Sequence, residues 1–272
     1  MLLNKQKKLG QVFLKDQAAI KKIIQAGKIH KKDQVLEIGP GKGILTKALI
    51  EAGANVIAVE KDPELVKFLK NYFKDKHNLK IIQGDIRDFL KTNQFHTQYS
   101  ILNPPYKVLG NIPYYLTSRL LRLILEIPEK PSLVIFMVQK EVAQRIISQP
   151  SKMNLLAVSV QFYAKPEIIC YVSKNSFSPK PKVDSAVIKL TPYSVIALRQ
   201  MVERRSFFKI VKAGFKQPRK LLLNNLSANL KIEKEIIKKA FKQLNIPLQT
   251  RAQNLSIKQW VSLSLLLIKN NV

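Results

Sequence analysis

Val35-Leu36-Glu37-Ile38-Gly39-Pro40-Gly41-Lys42-Gly43 is the stretch whose reading decides the fold. Apolar residues around one acid read as a short buried strand. The glycines then force a tight turn, and Ile44-Leu45-Thr46-Lys47-Ala48-Leu49-Ile50 continues at helical spacing. Strand, glycine turn and helix make the front end of a nucleotide-binding α/β unit, in which missing Cβ atoms let the backbone approach a ligand. A dinucleotide fingerprint reads G-x-G-x-x-G, whereas here the third glycine comes one residue early. That spacing argues against NAD and for a cofactor with no pyrophosphate to seat on a helix end. Taken alone, the loop also reads as a plain strand-to-helix connection.

Outward from this unit, strands alternate with helices, the pattern of a parallel sheet covered on both faces. Strands are expected over 54–59, 79–83, near 100–110 and over 133–138. Helices are expected over 18–26, from Asp62 and Pro63 to about residue 73, over 117–125 and over 140–148. Residues 155–163, 168–172 and 183–190 read as three further strands. After Pro192 the glycines and β-branched runs thin out, and 196–214, 221–230, 234–244 and 257–268 look helical. The expected division is therefore a first domain over 1–194 and a helical second over 195–272.

Charge narrows the partner. Among 272 residues, 47 Lys and Arg face 18 Asp and Glu, a net charge of +29. A polyanion explains that excess, and nucleic acid explains it better than a membrane surface does. The 195–272 segment alone carries +13. No run reaches membrane-spanning length, and residues 1–8 lack a secretory apolar region. Cys170 is the single cysteine, so no internal disulfide forms and a cytoplasmic setting is expected. His30, His77 and His96 show no metal-ligand spacing, and no metal site is expected.

The candidate site collects at the carboxyl ends of the strands, where open α/β sheets bind ligands. Glu60 closes the second strand and is placed to accept from ribose hydroxyls. Asp85 closes the third and is placed to accept from an adenine amino group. The cofactor that fits this set and the shortened glycine spacing is S-adenosylmethionine. Two loops near the fourth strand fit Asn-x-Pro-Tyr: Asn103-Pro104-Pro105-Tyr106 and Asn111-Ile112-Pro113-Tyr114. Such a loop suits an exocyclic amine, whose lone pair is delocalised into the purine. The Asn side-chain carbonyl and a neighbouring backbone carbonyl each accept one N–H, which draws density onto the nitrogen, and the Tyr ring offers the base a face. Local pattern alone leaves both loops in play. Downstream, Arg205, Lys209, Lys212 and Lys216 share one helical face and Phe208, Val211 and Phe215 another, with Arg219 following; a basic stripe of this kind contacts phosphates or is simply solvated.

Seven motifs then occur in one order. They are Lys7-Lys8-Leu9-Gly10-Gln11-Val12-Phe13-Leu14-Lys15-Asp16, Leu36 to Gly43, Gly84-Asp85, and Gly110-Asn111-Ile112-Pro113-Tyr114-Tyr115-Leu116-Thr117. Met137-Val138-Gln139-Lys140-Glu141-Val142-Ala143-Gln144-Arg145, Phe177-Ser178-Pro179-Lys180-Pro181-Lys182-Val183-Asp184-Ser185-Ala186-Val187 and the basic segment 207–223 complete the series. Together they resemble the small-subunit ribosomal RNA adenine dimethyltransferases over nearly the whole chain. The resemblance implies a class I S-adenosylmethionine-dependent methyltransferase domain, α/β and Rossmann-like, followed by a small all-α domain. It implies dimethylation at N6 of two adjacent adenosines in the 3′-terminal hairpin of 16S ribosomal RNA, by a monomer acting on the small-subunit RNA or the immature 30S particle. It assigns catalysis to Asn111, Ile112, Pro113 and Tyr114, placing Asn103 upstream of the active loop. Cofactor contacts fall on Val12, Leu14, Gly39, Gly41, Glu60, Asp85 and Asn111. Val12 departs from the family's usual Asn or His, so a contact there uses backbone. Tyr114 and Phe177 are the expected walls for the base, and Arg205, Lys209, Lys212, Lys216 and Arg219 the RNA contacts. Two rivals stand beside this reading: the related 23S RNA methyltransferases of macrolide resistance, and a ribosome-assembly factor in which binding outweighs catalysis.

Overall fold

The computed structural model describes residues 12–90, 105–113, 116–194 and 202–271. Asn103 and Tyr114 lie outside these residues. The chain divides into two compact units, 1–143 with 165–192 and 144–164 with 193–272.

The first unit opens with a two-residue strand, β1 (Phe13–Leu14), and helix α1 (Gln17–Gly27). Then come β2 (Gln34–Ile38), α2 (Ile44–Glu51), β3 (Asn55–Glu60), α3 (Pro63–Tyr72), β4 (Leu79–Gln83) and the single turn α4 (Ile86–Phe89). β5 (Tyr106–Asn111), α5 (Thr117–Glu126), β6 (Leu133–Gln139) and α6 (Lys140–Ile146) follow. After an excursion into the second unit, β7 (Ala164–Val172), β8 (Phe177–Ser178) and β9 (Ser185–Pro192) return. Seven strands form one sheet in the order β4-β3-β2-β5-β6-β9-β7. The first five run parallel, and β9 turns antiparallel against β6, so the sheet is mixed. Successive residues of β2, β3 and β6 are buried without alternation, as strands are when both faces are covered. β1 pairs separately with β8.

Two features of this unit place the site. β2 pairs β3 on one side and β5 on the other, so the chain reverses its order of strand addition beside β2. Such a switch point leaves a crevice beyond the strand ends. Gly39 and Gly41 take φ of +64° and +59°, a left-handed backbone that side chains with a Cβ rarely adopt. α3 begins as expected: the Asp62 side chain accepts the Glu64 N–H and Pro63 stands in the first turn.

The second unit is built from helices: α7 (Leu155–Gln161), α8 (Arg204–Phe215), α9 (Leu222–Leu230), α10 (Lys234–Gln243) and α11 (Ile257–Asn271). Phe207, Phe241 and Trp260 are wholly buried at its centre. Two expectations are corrected here. Residues 155–163 were expected as a strand and form α7 instead. The Asn154 side chain accepts the Ala157 N–H at 3.0 Å and starts a helix, and Phe162 just beyond it stacks on Phe207 with ring centroids 4.3 Å apart. A short apolar run carries no periodicity that separates a buried strand from a buried helix, so capping and packing decide. For the same reason the expected boundary at 194 is incomplete, because residues 144–164 cluster with the helical unit. Among the described residues, no helix is long and apolar enough to cross a membrane.

Candidate functional site

One pocket of the first unit lies beyond the ends of β2, β3 and β5. Of the residues expected at the cofactor, Val12, Leu14, Gly39, Gly41, Glu60 and Asn111 all line it. Ile112 and Pro113 of the expected catalytic loop line it too. Its apolar walls come from Ile20, Ile23, Ile44, Leu45 and Met137.

Glu60 is 5% exposed at the end of β3. Its Oε2 accepts the Gly41 N–H at 3.1 Å, and Oε1 accepts the Lys61 and Asp62 N–H groups at 2.9 and 3.0 Å. Burial raises its pKa, while these backbone donors pull the other way. The carboxylate thereby ties the strand end to the glycine turn, and Oε2, with a single donor, keeps lone-pair capacity for a ligand. Asn111 ends β5, and its Nδ2 donates to the Val12 carbonyl at 3.2 Å. An acceptor on the amide nitrogen fixes which way the side chain faces.

Two expected residues sit elsewhere. Asp85 lies two residues beyond β4, as the N-cap of α4, and is not among the lining residues. Its Oδ1 accepts the Arg87 backbone N–H at 2.9 Å and Arg87 Nε at 2.8 Å, and Lys61 Nζ lies 3.3 Å from Oδ2. The Arg87 guanidinium holds its carboxyl well below the usual carboxylate range. Phe177, expected as a wall for the base, is 4% exposed and belongs to the hydrophobic core with Leu14 and Val187.

Of the lining residues that sequence reasoning missed, Phe13 and Glu37 bear most on the site. Phe13 lays its ring on the glycine turn, where a Cβ on Gly41 would come within 3.1 Å of it, and Lys42 Nζ lies 5.0 Å from the ring centroid. Glu37 also lines the pocket, 1% exposed, with Oε2 lacking a hydrogen-bond partner among the described residues. Burial pushes its carboxyl up to about 8, with the Glu60 charge adding to the rise. An acid inside an otherwise apolar strand was the available signal.

The donor set fits a nucleoside-bearing cation. It offers the buried Glu60 carboxylate, a backbone turn without Cβ atoms and apolar walls, which together suit S-adenosylmethionine. A Rossmann-like sheet with this pocket at its switch point is the architecture of a nucleotide-cofactor-binding domain. Comparison with known proteins agrees. The ribosomal RNA adenine dimethylase family profile matches residues 2–269. A ribosomal RNA small subunit methyltransferase A of Dehalococcoides mccartyi is 41% identical over 98% of this chain and 90% of its own length. A dimethyladenosine transferase of Plasmodium falciparum superposes with a TM-score of 0.78 at 26% identity, covering 96% of this chain and 98% of that one. A 23S ribosomal RNA methyltransferase shares the fold, with a TM-score of 0.71 at 24% identity over 94% of this chain and 99% of that one. The chain belongs to the ribosomal RNA adenine dimethylase family.

Proposed function

We propose that this protein transfers methyl groups from S-adenosylmethionine to N6 of two adjacent adenosines in the 3′-terminal hairpin of small-subunit ribosomal RNA. The single observation that carries the reading is Asn111 in the pocket lining, its amide nitrogen already held by the Val12 carbonyl. That leaves the amide oxygen as the end that meets an exocyclic amine. The cofactor supplies an electrophilic methyl group on a sulfonium when bound. Glu60 accepts from its ribose hydroxyls, and the turn at Gly39 and Gly41 lets backbone lie against it. Asn111 Oδ1 accepts one N–H of the adenine amine and the Ile112 carbonyl the other, with Pro113 stiffening the loop and Tyr114 facing the base. No strong base is required, since the proton leaves after attack. Asp85 reads the adenine amino group only where Arg87 and Lys61 release it. The substrate is the small-subunit particle or its RNA, met in the cytoplasm.

The test is methylation of small subunits that lack the hairpin modification, read by mass spectrometry of the hairpin fragment. Two dimethyladenosines are expected. Asn111→Ala should lower turnover on the order of 10²–10³-fold, the scale for one preorganised polar partner at a transition state. Methylation confined to large-subunit RNA would reassign the substrate to the 23S type.

A further inference from the structure

Two parts of the site and one core residue meet the same three consecutive residues. The Val12 carbonyl accepts the Asn111 amide, although 99 positions separate the two. The Phe13 ring covers Gly41. Leu14 stands opposite Phe177 in the β1–β8 pairing. A two-residue ladder has little stability of its own. Its anchorage lies at the far end. The Lys15 N–H donates to the Ser176 carbonyl at 2.8 Å, and the Ser176 hydroxyl donates to Asp16 Oδ2 at 2.9 Å. Asp16 Oδ1 accepts the Ala19 N–H at 3.1 Å, so the same carboxylate caps α1. Leu14 and Phe177, 6% and 4% exposed, bury the joint.

An asparagine amide turns easily about its last torsion, and its two ends do opposite things. Facing an amine with its own NH₂, Asn111 would offer a donor where an acceptor is needed. A backbone carbonyl accepts only, so Val12 selects the useful orientation with no side-chain chemistry of its own. That is why a valine serves at position 12.

We propose that the β1–β8 clip is a positioning device for methyl transfer, with Ser176 as a positioning residue: its hydroxyl, through Asp16, holds the Val12 carbonyl where it turns Asn111 Oδ1 toward the substrate amine. The proposal rests on the assignment of Asn111 made above. The second methylation depends on it most, because a monomethylated amine has a single N–H left to grip.

Single-turnover methylation of unmodified small subunits by the full chain tests this, using Ser176→Ala, Ser176→Thr, Asn111→Ala and the double variant Ser176→Ala with Asn111→Ala. Ser176→Ala should slow transfer roughly 5–10-fold and raise the share of monomethyladenosine, while Ser176→Thr, which keeps the hydroxyl, stays within about twofold of wild type. On the Asn111→Ala background the same change should cost less than about twofold, because no amide remains to be oriented. Equal losses on both backgrounds, or a wild-type rate and product ratio in Ser176→Ala, overturn the proposal. If Asn111→Ala falls below detection, the monomethyl share and the threonine rescue decide. An Asn111→Ala protein as fast as wild type would instead overturn the Asn111 assignment, and the clip proposal with it. A lower unfolding temperature in Ser176→Ala without a change in product ratio would reduce the clip to a structural joint.

Discussion

Glu60 binds three backbone N–H groups around the end of β3 while lining the pocket, so one side chain both shapes the glycine turn and stands in the pocket proposed for the cofactor. Removing it has two consequences. Glu60→Ala should weaken S-adenosylmethionine binding by about 1–3 kcal/mol, the cost of leaving hydroxyls without an acceptor, and should loosen the turn at Gly41. RNA affinity should hold. Calorimetric titration reads the first effect, and wild-type cofactor affinity would remove Glu60 from the ribose. Glu37 adds a pH dependence, because its raised pKa makes it a liability at high pH. Its folded value of about 8 exceeds the ordinary 4.5, so the folded state holds the proton more tightly than the unfolded chain. The stability it contributes is complete below about pH 4.5 and drains away as pH rises toward 8. Glu60 shifts in the same direction; Asp85 shifts the other way, its contribution present above the normal carboxylate range and lost in strong acid. Glu37→Gln should therefore flatten the stability profile between pH 5 and 8, gaining on the order of 2–4 kcal/mol over wild type across that window. Urea unfolding at the two ends would show it. Parallel profiles would mean that Glu37 is already ionised in the folded protein.

At the scale of elements, α8 carries the RNA argument. Arg205, Lys209, Lys212 and Lys216 recur at helical spacing and are all exposed, with Arg219 exposed just beyond. The opposite side is buried through Phe207, Ile210 and Val211. Replacing Arg205, Lys209 and Lys212 together by Ala should leave folding intact and weaken RNA binding. Each lost phosphate contact should lower the log–log salt slope by roughly 0.7–0.9. A filter-binding series with an unchanged slope would make the stripe a solvated face. This helix was legible from Arg204 on because its pattern is long and two-sided; residues 196–201 of the expected 196–214 lie outside the described residues. The glycine turn was legible because residues with a Cβ rarely adopt its backbone. α7 was not, since a seven-residue apolar run takes its conformation from Asn154 and Phe207. The strand-end rule placed Glu60 correctly in the pocket and also nominated Asp85. What it lacked was Arg87, two residues on, whose guanidinium occupies that carboxylate once α4 turns. The burial of Phe177 was hidden for another reason: the partner that covers it, Leu14, lies at the opposite end of the first unit's sequence.

For the whole molecule, charge sets two responses of opposite sign. Even if every one of the 18 acids were paired, 29 cations would stay unmatched. Several ion pairs that do form are well exposed, as in Lys47–Glu51 and Lys165–Glu167, and such pairs add little to stability. Self-repulsion therefore outweighs pairing, and screening it favours the compact state. Raising salt from 50 to 200 mM should lift the unfolding temperature of the free protein by about 2–5 °C. RNA binding should move oppositely over the same range. Five phosphate contacts at about 0.7–0.9 each give a slope near 4, which over a fourfold salt change weakens affinity on the order of 10²-fold. Cofactor binding, made in a buried pocket lined by Glu37 and Glu60, should change far less. Thermal melts, filter binding and calorimetry on one salt series separate the three responses. A melting temperature that falls with salt would mean that local ion pairs, rather than the +29 excess, govern the fold. A flat RNA curve would mean that the excess is not there to meet phosphate.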